Sequence, residues 1–300
     1  MNTKNFRTGI LGCGFMSQLH VRNMFKEKRT EIIALCDPDP NAIKKIGEEF
    51  IAAGREVPPN EPDVQKFLKY HEMDMVLIAT PHVLHHDHTV AALEAGLDVL
   101  LEKPMVGNTQ EALNLMKTRD RTGRTLVIAF QGSLSPLIRR ASEGIKQGLY
   151  GDLVSVSSTI WQNWGPNTVG TWRQKPSLSG GGFIFDTGAH MLNTVADLVN
   201  EDFVEVAAWM DQLGRPVEIL SVAIGKLASG AFVTLHGCGE TIPSCDSLIK
   251  VFCKEAILTT GAWGGFLQIQ KSGETDYTEI PFPPASNTWD TFLKVCSGKI

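Results

Sequence analysis

The sequence of 300 residues lacks the features that mark membrane and nucleic-acid-binding proteins. It has no apolar run near the length of a membrane-spanning helix, and its first residues contain no long apolar segment before a small-residue cleavage site. Basic residues are not in excess, because 28 lysines and arginines stand against 33 aspartates and glutamates. Binding to a phosphate backbone requires a concentrated basic surface. We therefore expect a soluble, cytoplasmic protein with no membrane or nucleic-acid partner.

The cysteines lack a metal or disulfide pattern. The six cysteines contain no C-x-x-C pair, and their closest spacings match no common zinc site. Scattered cysteines in a long chain are usually small buried hydrophobic residues. We predict no metal and no structural disulfide. The composition, 43% hydrophobic and 20% charged, is that of a globular chain, and the length predicts two domains.

The hydrophobic pattern differs between the two halves of the chain. Short apolar runs such as Met75–Ala79 alternate with helical stretches in the first half, which is typical of a doubly wound parallel sheet, the Rossmann arrangement. From about Tyr150 the runs are rich in β-branched residues, and one helical segment, Ala189–Val199, interrupts them. We predict an α/β Rossmann domain over residues 1–125 and an α+β domain with a large, mostly antiparallel open sheet over residues 126–300.

A glycine-rich turn follows the first predicted strand. The segment Gly12-Cys-Gly14-Phe-Met-Ser17 reads G-x-G-x-x-S and opens a helix. The first glycine permits a tight turn, and the second lets the backbone approach a pyrophosphate at the helix N-terminus. An ordinary glycine-rich turn is the alternative. The pattern predicts cofactor contacts from Gly12, Gly14, Phe15 and Met16.

Asp37 strengthens the cofactor prediction. It ends the second predicted strand, 23 residues after Gly14, a spacing typical of a carboxylate that binds the adenosine ribose. Such a carboxylate accepts hydrogen bonds from the ribose hydroxyls and repels a 2′-phosphate. An Asx turn ahead of Pro38 is the alternative. Together with the glycine turn, Asp37 predicts NAD rather than NADP.

Two further segments lie where predicted strands end. Four histidines fall between Thr80 and His88, and Glu102-Lys103-Pro104 follows the next strand. Ligands of open α/β sheets bind at the carboxyl ends of the strands. A metal cluster or a solvated helix start are alternatives for the histidines. A lysine held beside a carboxylate and a proline could protonate or hydrogen-bond a substrate oxygen, and a surface loop is its alternative.

These segments carry a resemblance to a known family. The T-P-H-x-x-H turn at Thr80–His85, the A-L-E-A-G helix end at 92–96 and the E-K-P at 102–104 resemble signatures of the glucose–fructose oxidoreductase and inositol dehydrogenase (Gfo/Idh/MocA) family. In the second half, Trp172-Arg173 and the G-G-G-x-x-x-D-x-G-x-H of residues 180–190 resemble two more. The resemblance runs from about residue 7 to at least residue 200.

The resemblance implies residue roles. A Rossmann domain would carry the nicotinamide dinucleotide, and a second domain would shape the substrate pocket and often the oligomer interface. A spacing of four would place Asp186 and His190 on one helix face, where the carboxylate can orient the imidazole. The residues implied as catalytic are Lys103, Asp186 and His190. Those implied as cofactor contacts are Thr80, Pro81, His82, His85, Glu102, Lys103 and Gln131. Those expected to bind substrate are Trp161, Trp172, Arg173 and His190.

Two departures from the family pattern accompany this reading. The segment Phe130–Pro136 lacks the arginine that the family often has before this proline, and family members commonly continue beyond a helix such as Trp289–Cys296. We expect an NAD-dependent oxidoreductase acting on a hydroxyl or carbonyl carbon of a sugar, cyclitol or related polyol. A redox-assisted glycosidase and a non-catalytic dinucleotide-binding regulator are the alternatives. A homodimer or homotetramer through the second-domain sheet is expected.

Overall fold

The apolar runs of the first half form a parallel sheet, as predicted. The computed structural model describes residues 5–69, 72–282 and 287–299. The strands are β1 Phe6–Leu11, β2 Thr30–Cys36, β3 Met75–Ile78, β4 Asp98–Leu101 and β5 Leu126–Ile128. They lie in the order β2-β1-β3-β4-β5, and every pair is parallel. The order reverses between β1 and β3, and ligands of such sheets bind outside the carboxyl ends at that reversal.

Helices cover both faces of this sheet. They are α1 Phe15–Met24, α2 Pro40–Ala52, α3 Val64–Phe67, α4 His85–Glu94 and α5 Thr109–Thr122. Side chains of α1 and α2 pack with Ile10 and Leu77 on one face. Side chains of α4 and α5 pack with Val76 and Val99 on the other. Successive residues of a strand point to opposite faces, so a strand buried on both faces is apolar throughout.

The second sheet has eight strands and is antiparallel except for one pair. The strands are β6 Leu153–Gln162, β7 Phe203–Asp211, β8 Leu220–Leu227, β9 Phe232–Cys238, β10 Cys245–Cys253, β11 Ala256–Thr260, β12 Leu267–Lys271 and β13 Thr278–Glu279. They lie in the order β13-β12-β11-β10-β6-β9-β8-β7, and only β6 and β9 are parallel among the described strands. This confirms the predicted mostly antiparallel sheet.

Helices cover one face of the second sheet. They are α6 Gln131–Leu134, α7 Pro136–Lys146, α8 Trp164–Asn167, α9 Pro176–Ser179, α10 Phe183–Asp186 and α11 Gly188–Val199. Buried Val156 and Ile160 of β6 face the side chains of α7 and α11 in one core. The opposite, outer face is open, and Trp209, 68% exposed, lies on it. The strands of this face therefore present side chains to solvent.

The last helix, α12 Thr288–Cys296, packs with the first sheet. Its Trp289 and Phe292 are buried in the cluster that contains Ile10. The indole Nε1 of Trp289 also donates to Thr30 Oγ1 over 2.8 Å. The apolar face of α12 thus completes the core on one side of the parallel sheet.

The chain accordingly divides into two units. The first unit is Met1–Ala129 with Ser286–Ile300, and the second is Phe130–Ala285. This differs from the predicted division at residues 1–125 and 126–300, because the buried face of α12 joins the end of the chain to the first unit. The predicted domain bounds themselves stay a prediction. Nowhere in the described part of the chain is a helix both long and apolar enough to span a bilayer.

Candidate active site

The glycine turn after β1 has the backbone that its sequence predicts. Gly12 has φ +87°, and a Cβ there would lie 2.7 Å from the carbonyl carbon of Ala79, just beyond β3. Position 12 therefore requires glycine for two reasons: its φ is positive, and there is no room for a Cβ. The hydroxyl of Ser17 donates to the Gly12 carbonyl and closes the turn.

The N-terminus of α1 is open beyond this turn. Gly14 is the N-cap residue and is exposed, and a Cβ built on it would meet nothing within 4 Å. Phe15 at the first helical position is 68% exposed, and Met16 follows it half-buried. Backbone N–H groups and the helix dipole favour an anion at such an end. The turn therefore fits a pyrophosphate.

Asp37 lies beside the same turn and is held there by two backbone donors. Its Oδ2 accepts from the Cys13 N–H over 2.7 Å, and its Oδ1 accepts from the Asp39 N–H over 2.8 Å. Each oxygen keeps acceptor capacity, and the residue is partly exposed. Asp39 caps α2 by accepting from the Asn41 N–H. The oriented, accessible carboxylate fits the ribose of a dinucleotide.

The histidine segment after β3 ties two loops together. The His85 ring is buried, with Nδ1 2.7 Å from the Pro104 carbonyl and Nε2 3.0 Å from the Thr80 carbonyl. Burial lowers the pKa of His85, and the two carbonyls only partly oppose that shift. His88 Nδ1 lies 3.1 Å from the Thr80 hydroxyl. His85 therefore joins the turn after β3 to the loop after β4.

The other histidines of this segment point in different directions. Pro81 precedes a short 3-10 helix, His82–Leu84, whose His82 is buried with its ring 5.7 Å from that of His85. His86 faces Asp87 and Asn114 instead, at 2.7 and 2.9 Å. Across residues 5–69, 72–282 and 287–299, no group of three or more His, Cys, Asp or Glu side chains is placed to hold a metal ion.

Lys103 follows β4 and is oriented by its neighbour. The buried carboxylate of Glu102 accepts from the Lys103 N–H over 3.1 Å at Oε2, and its Oε1 lies 2.6 Å from His20 Nε2. Burial alone would raise the pKa of Glu102, but the His20 hydrogen bond, with the charges of His20 and Lys103, lowers it below its ordinary value. Glu102 is therefore ionised at neutral pH. The Lys103–Pro104 peptide is cis.

His20 was not foreseen from the sequence. It lies on α1 in the buried stripe formed with Ser17, Val21 and Met24. From the sequence alone, a histidine on the core side of a helix is expected to be a packed side chain. The contact between His20 and Glu102 is seen only in the structure. The sequence gives no signal for that pairing.

In the second unit, Asp186 is a buried acceptor shared by two donors. The Trp164 indole Nε1 and the Arg173 Nε each donate to its Oδ2 over 2.9 Å. Helix α10 ends at Asp186 and α11 begins at Gly188, and Thr187 between them keeps right-handed helical backbone angles, φ −77° and ψ −40°. The described bonds of Asp186 fix the segment 164–173, and its orienting role toward His190 stays a prediction. Trp164 was not among the predicted site residues, and its indole is now seen to hold Asp186.

His190 is buried in the first turn of α11 among aromatic rings. The Phe130 ring meets it edge-on at 5.9 Å, and the Trp263 ring lies 5.8 Å away. Both aromatic residues were missed, because Trp263 lies in a glycine-rich loop more than 70 residues from His190 in the sequence. Gln131 begins α6 directly after Phe130.

The predicted substrate residues separate into two groups. The Arg173 guanidinium lies 4.6 Å above the Trp172 ring, so these two share a partly exposed surface with Asp186 behind them. Trp161 is different. Because Ile160 is buried on the helix-covered face of β6, the alternation of the strand turns Trp161 to the outer face. The sheet therefore lies between Trp161 and helix α11, which carries His190.

Two family models match most of the chain. Residues 6–130 match the oxidoreductase family with NAD-binding Rossmann fold, and residues 138–259 match the GFO/IDH/MocA C-terminal domain. The chain is 27% identical over 238 residues to 1-carboxy-3-chloro-3,4-dihydroxycyclo hexa-1,5-diene dehydrogenase of Comamonas testosteroni, covering 77% of this chain and 58% of the relative. It is 24% identical over 291 residues to inositol 2-dehydrogenase 4 of Saccharopolyspora erythraea, covering 88% and 79%.

A solved structure shares the whole fold. Levoglucosan dehydrogenase in complex with NADH and levoglucosan has a TM-score of 0.82 and 20% sequence identity, covering 98% of this chain and 91% of that one. The chain spans little more than half the length of several curated relatives that it matches, as the 58% above illustrates. The matched models, the parallel sheet with its glycine turn and the open second sheet together show that this chain belongs to the Gfo/Idh/MocA oxidoreductase family, with an NAD-binding Rossmann fold in its first unit.

Proposed function

We propose that the protein is an NAD-dependent dehydrogenase acting on a hydroxyl or carbonyl carbon of a sugar, cyclitol or related polyol. The observation that carries this proposal is the arrangement at the carboxyl edge of the first sheet. There, the open glycine turn and the oriented Asp37 carboxylate fit a dinucleotide. In the loop after β4, the backbone N–H of Lys103 donates a hydrogen bond to the Glu102 carboxylate. A binding site and a candidate catalytic ammonium thus belong to one unit.

The first unit supplies the cofactor contacts. NAD, when bound, accepts the hydride that the substrate carbon loses, and NADH returns it in the reverse direction. The N-terminus of α1 at Gly14 would hold the pyrophosphate. Asp37 would accept hydrogen bonds from the ribose hydroxyls, and its charge with that of Asp39 would repel a 2′-phosphate, which favours NAD over NADP.

Lys103 and His190 would handle the proton. When the carbon loses hydride, its hydroxyl oxygen loses a proton and a carbonyl remains. His190 would accept that proton at a ring nitrogen, and the ammonium of Lys103 would donate a hydrogen bond to the same oxygen while negative charge develops on it. In reduction His190 returns the proton to the forming hydroxyl. Asp186 would hold Arg173 and Trp164 in place and, as predicted from the sequence, would also orient the His190 imidazole.

The substrate class follows from side-chain chemistry and from the relatives. The exposed Trp172 ring with the Arg173 guanidinium suits a ring-shaped polyhydroxy compound, because the ring offers an apolar face and the guanidinium offers several donors. The relatives named for inositol and levoglucosan act on compounds of that kind. Trp161, on the outer sheet face, is the weakest of the predicted substrate contacts.

We also propose that a second copy of the chain covers the outer face of the second sheet. Trp209, Val222 and Ile224 lie exposed on adjacent strands there, a contiguous apolar patch of the kind that marks an interface. Sedimentation velocity should show a dimer or larger species that dissociates in Ile224→Lys, and a monomeric wild type would contradict the proposed interface.

The cytoplasmic location expected from the sequence stays a prediction.

The proposal is tested by binding and turnover on one sample. Fluorescence titration should show NADH binding more tightly than NADPH, and Asp37→Ala should reduce that preference by about tenfold or more, since a hydrogen bond to a charged group is worth about 1.5–3 kcal/mol. A panel of polyols, sugars and keto-sugars should then show a change in nicotinamide absorbance. Binding without turnover would favour the regulator. Cleavage of an aryl glycoside without net absorbance change would favour the glycosidase.

A further inference from the structure

We infer that His20 is a positioning residue that fixes Lys103 through Glu102. His20 Nε2, the Glu102 carboxylate and the Lys103 N–H form one continuous chain of hydrogen bonds inside the first unit. The catalytic consequence rests on the role proposed above for Lys103. The positioning itself rests only on the described geometry.

The ionised state of Glu102 decides which group is the donor in its hydrogen bond with His20. An ionised carboxylate accepts hydrogen bonds and has none to give, so His20 Nε2 carries the proton between them. Glu102 is 5% exposed and His20 is 7% exposed. A carboxylate buried to that extent is costly without partners, so each of its oxygens is expected to keep its donor. With Oε1 held by His20, Oε2 is aimed at the Lys103 amide.

The helix that carries His20 also carries the open end of the glycine turn. Helix α1 begins at Phe15, next to Gly14, and His20 lies in its second turn. On the other side of the lysine, His85 contacts the carbonyl of Pro104. The Lys103–Pro104 segment is therefore held by one histidine at each side. Removing His20 releases the amide of Lys103 but leaves the glycine turn and the Pro104 anchor unchanged.

Amide hydrogen exchange tests the positioning without any ligand. His20→Leu removes the donor, His20→Gln keeps an N–H donor of similar reach, and His86→Leu removes an imidazole that contacts Asp87 and Asn114 instead. We expect the peptide of residues 98–105 to exchange about tenfold faster in His20→Leu, as for loss of one charge-assisted hydrogen bond. His20→Gln and His86→Leu should stay within about twofold of wild type.

Turnover provides the second readout. His20→Leu should lower kcat about tenfold with the NADH dissociation constant unchanged, and His20→Gln should restore most of kcat. If wild-type protein turns over no member of the panel, the proposed function fails while the exchange result still decides the positioning.

Three results would overturn the inference. They are an unchanged 98–105 peptide in folded His20→Leu, an increase spread evenly over the first unit, and a His20→Gln variant that behaves like His20→Leu. If His20→Leu does not fold, Glu102→Gln takes its place, because a neutral amide weakens both bonds of the chain. Faster exchange confined to residues 98–105 in that variant supports the inference, and unchanged exchange there overturns it.

Discussion

The surroundings of Lys103 and of His190 are built from different interactions. Hydrogen bonds among buried polar groups hold the Lys103 segment, with Glu102 on one side and His85 on the other. Two aromatic rings, those of Phe130 and Trp263, pack at 5.9 and 5.8 Å from the His190 ring. A hydrogen bond fixes direction and is lost when its donor is lost, whereas packing fixes volume and tolerates a similar shape. The first region should therefore be sensitive to polar changes and the second to changes of size.

The largest expected effect comes from the two groups themselves. Lys103→Met and His190→Ala should each lower kcat by two to four orders of magnitude, about what a positioned acid or base contributes. NADH affinity, measured by fluorescence titration, should stay within about threefold. Lys254→Met, which removes an exposed partner of Asp152, is the matched control and should leave both quantities unchanged. Loss of NADH binding in either variant would show that the residue supports structure instead.

Asp186, also in the second unit, is held by hydrogen bonds instead, from the Trp164 indole and the Arg173 guanidinium. Asp186→Asn should lower the free energy of unfolding by about 2 kcal/mol, since the buried side chain can no longer balance the charge of Arg173, which is itself partly exposed. Urea unfolding measures this, with Asp152→Asn as an exposed control that should show no change. Equal stability of Asp186→Asn and wild type would mean that the Trp164 bond alone suffices.

A pH effect should belong to the hydrogen-bonded region. Burial lowers the pKa of His85 from its ordinary 6.5, and His88 is shifted the same way. Below pH 6.5 the unfolded chain binds a proton that His85 in the folded protein does not bind. The free energy of unfolding should therefore decrease as the pH is lowered, by up to about 1.4 kcal/mol per pH unit. The lowered pKa of Glu102 acts only in a more acidic range, below 4.5. Urea unfolding between pH 7.5 and 5.5 should give a shallower slope in His85→Asn, and identical slopes would refute the assignment.

The smallest effect should come from a conservative change beside His190. Trp263→Phe keeps an aromatic ring within reach of the imidazole, so the loss of stability should be no more than the value of one aromatic contact, about 0.5–1.5 kcal/mol. Thermal unfolding and kcat should both stay near wild type. Trp263→Ser is the comparison that removes the ring. A large loss of kcat with unchanged stability in Trp263→Phe would mean that the indole itself acts on substrate.

The Lys103 segment and the surroundings of His190 also differ in how much of them could be predicted from the sequence. The carboxyl ends of β1, β3 and β4 are neighbours by topology alone, so motifs at Gly12, Thr80 and Lys103 could be assigned to one edge before any coordinates. In the second unit the groups around His190 come from distant loops, as Trp263 shows. The face on which Trp161 lies could not be predicted, because neighbouring residues in β6 point to opposite faces and a cluster of aromatic residues in sequence does not reveal which face is covered. His20 was missed because its partner lies 82 residues away.

The return of α12 to the first sheet has a consequence for synthesis. Trp289 and Phe292 complete a core whose other members, Ile10 among them, leave the ribosome first. Phe130–Ala285 must be translated in between, which at roughly 5–20 residues per second takes on the order of 10–30 s. During that interval the core that α1 and α2 form on this face of the parallel sheet lacks the apolar side chains of α12.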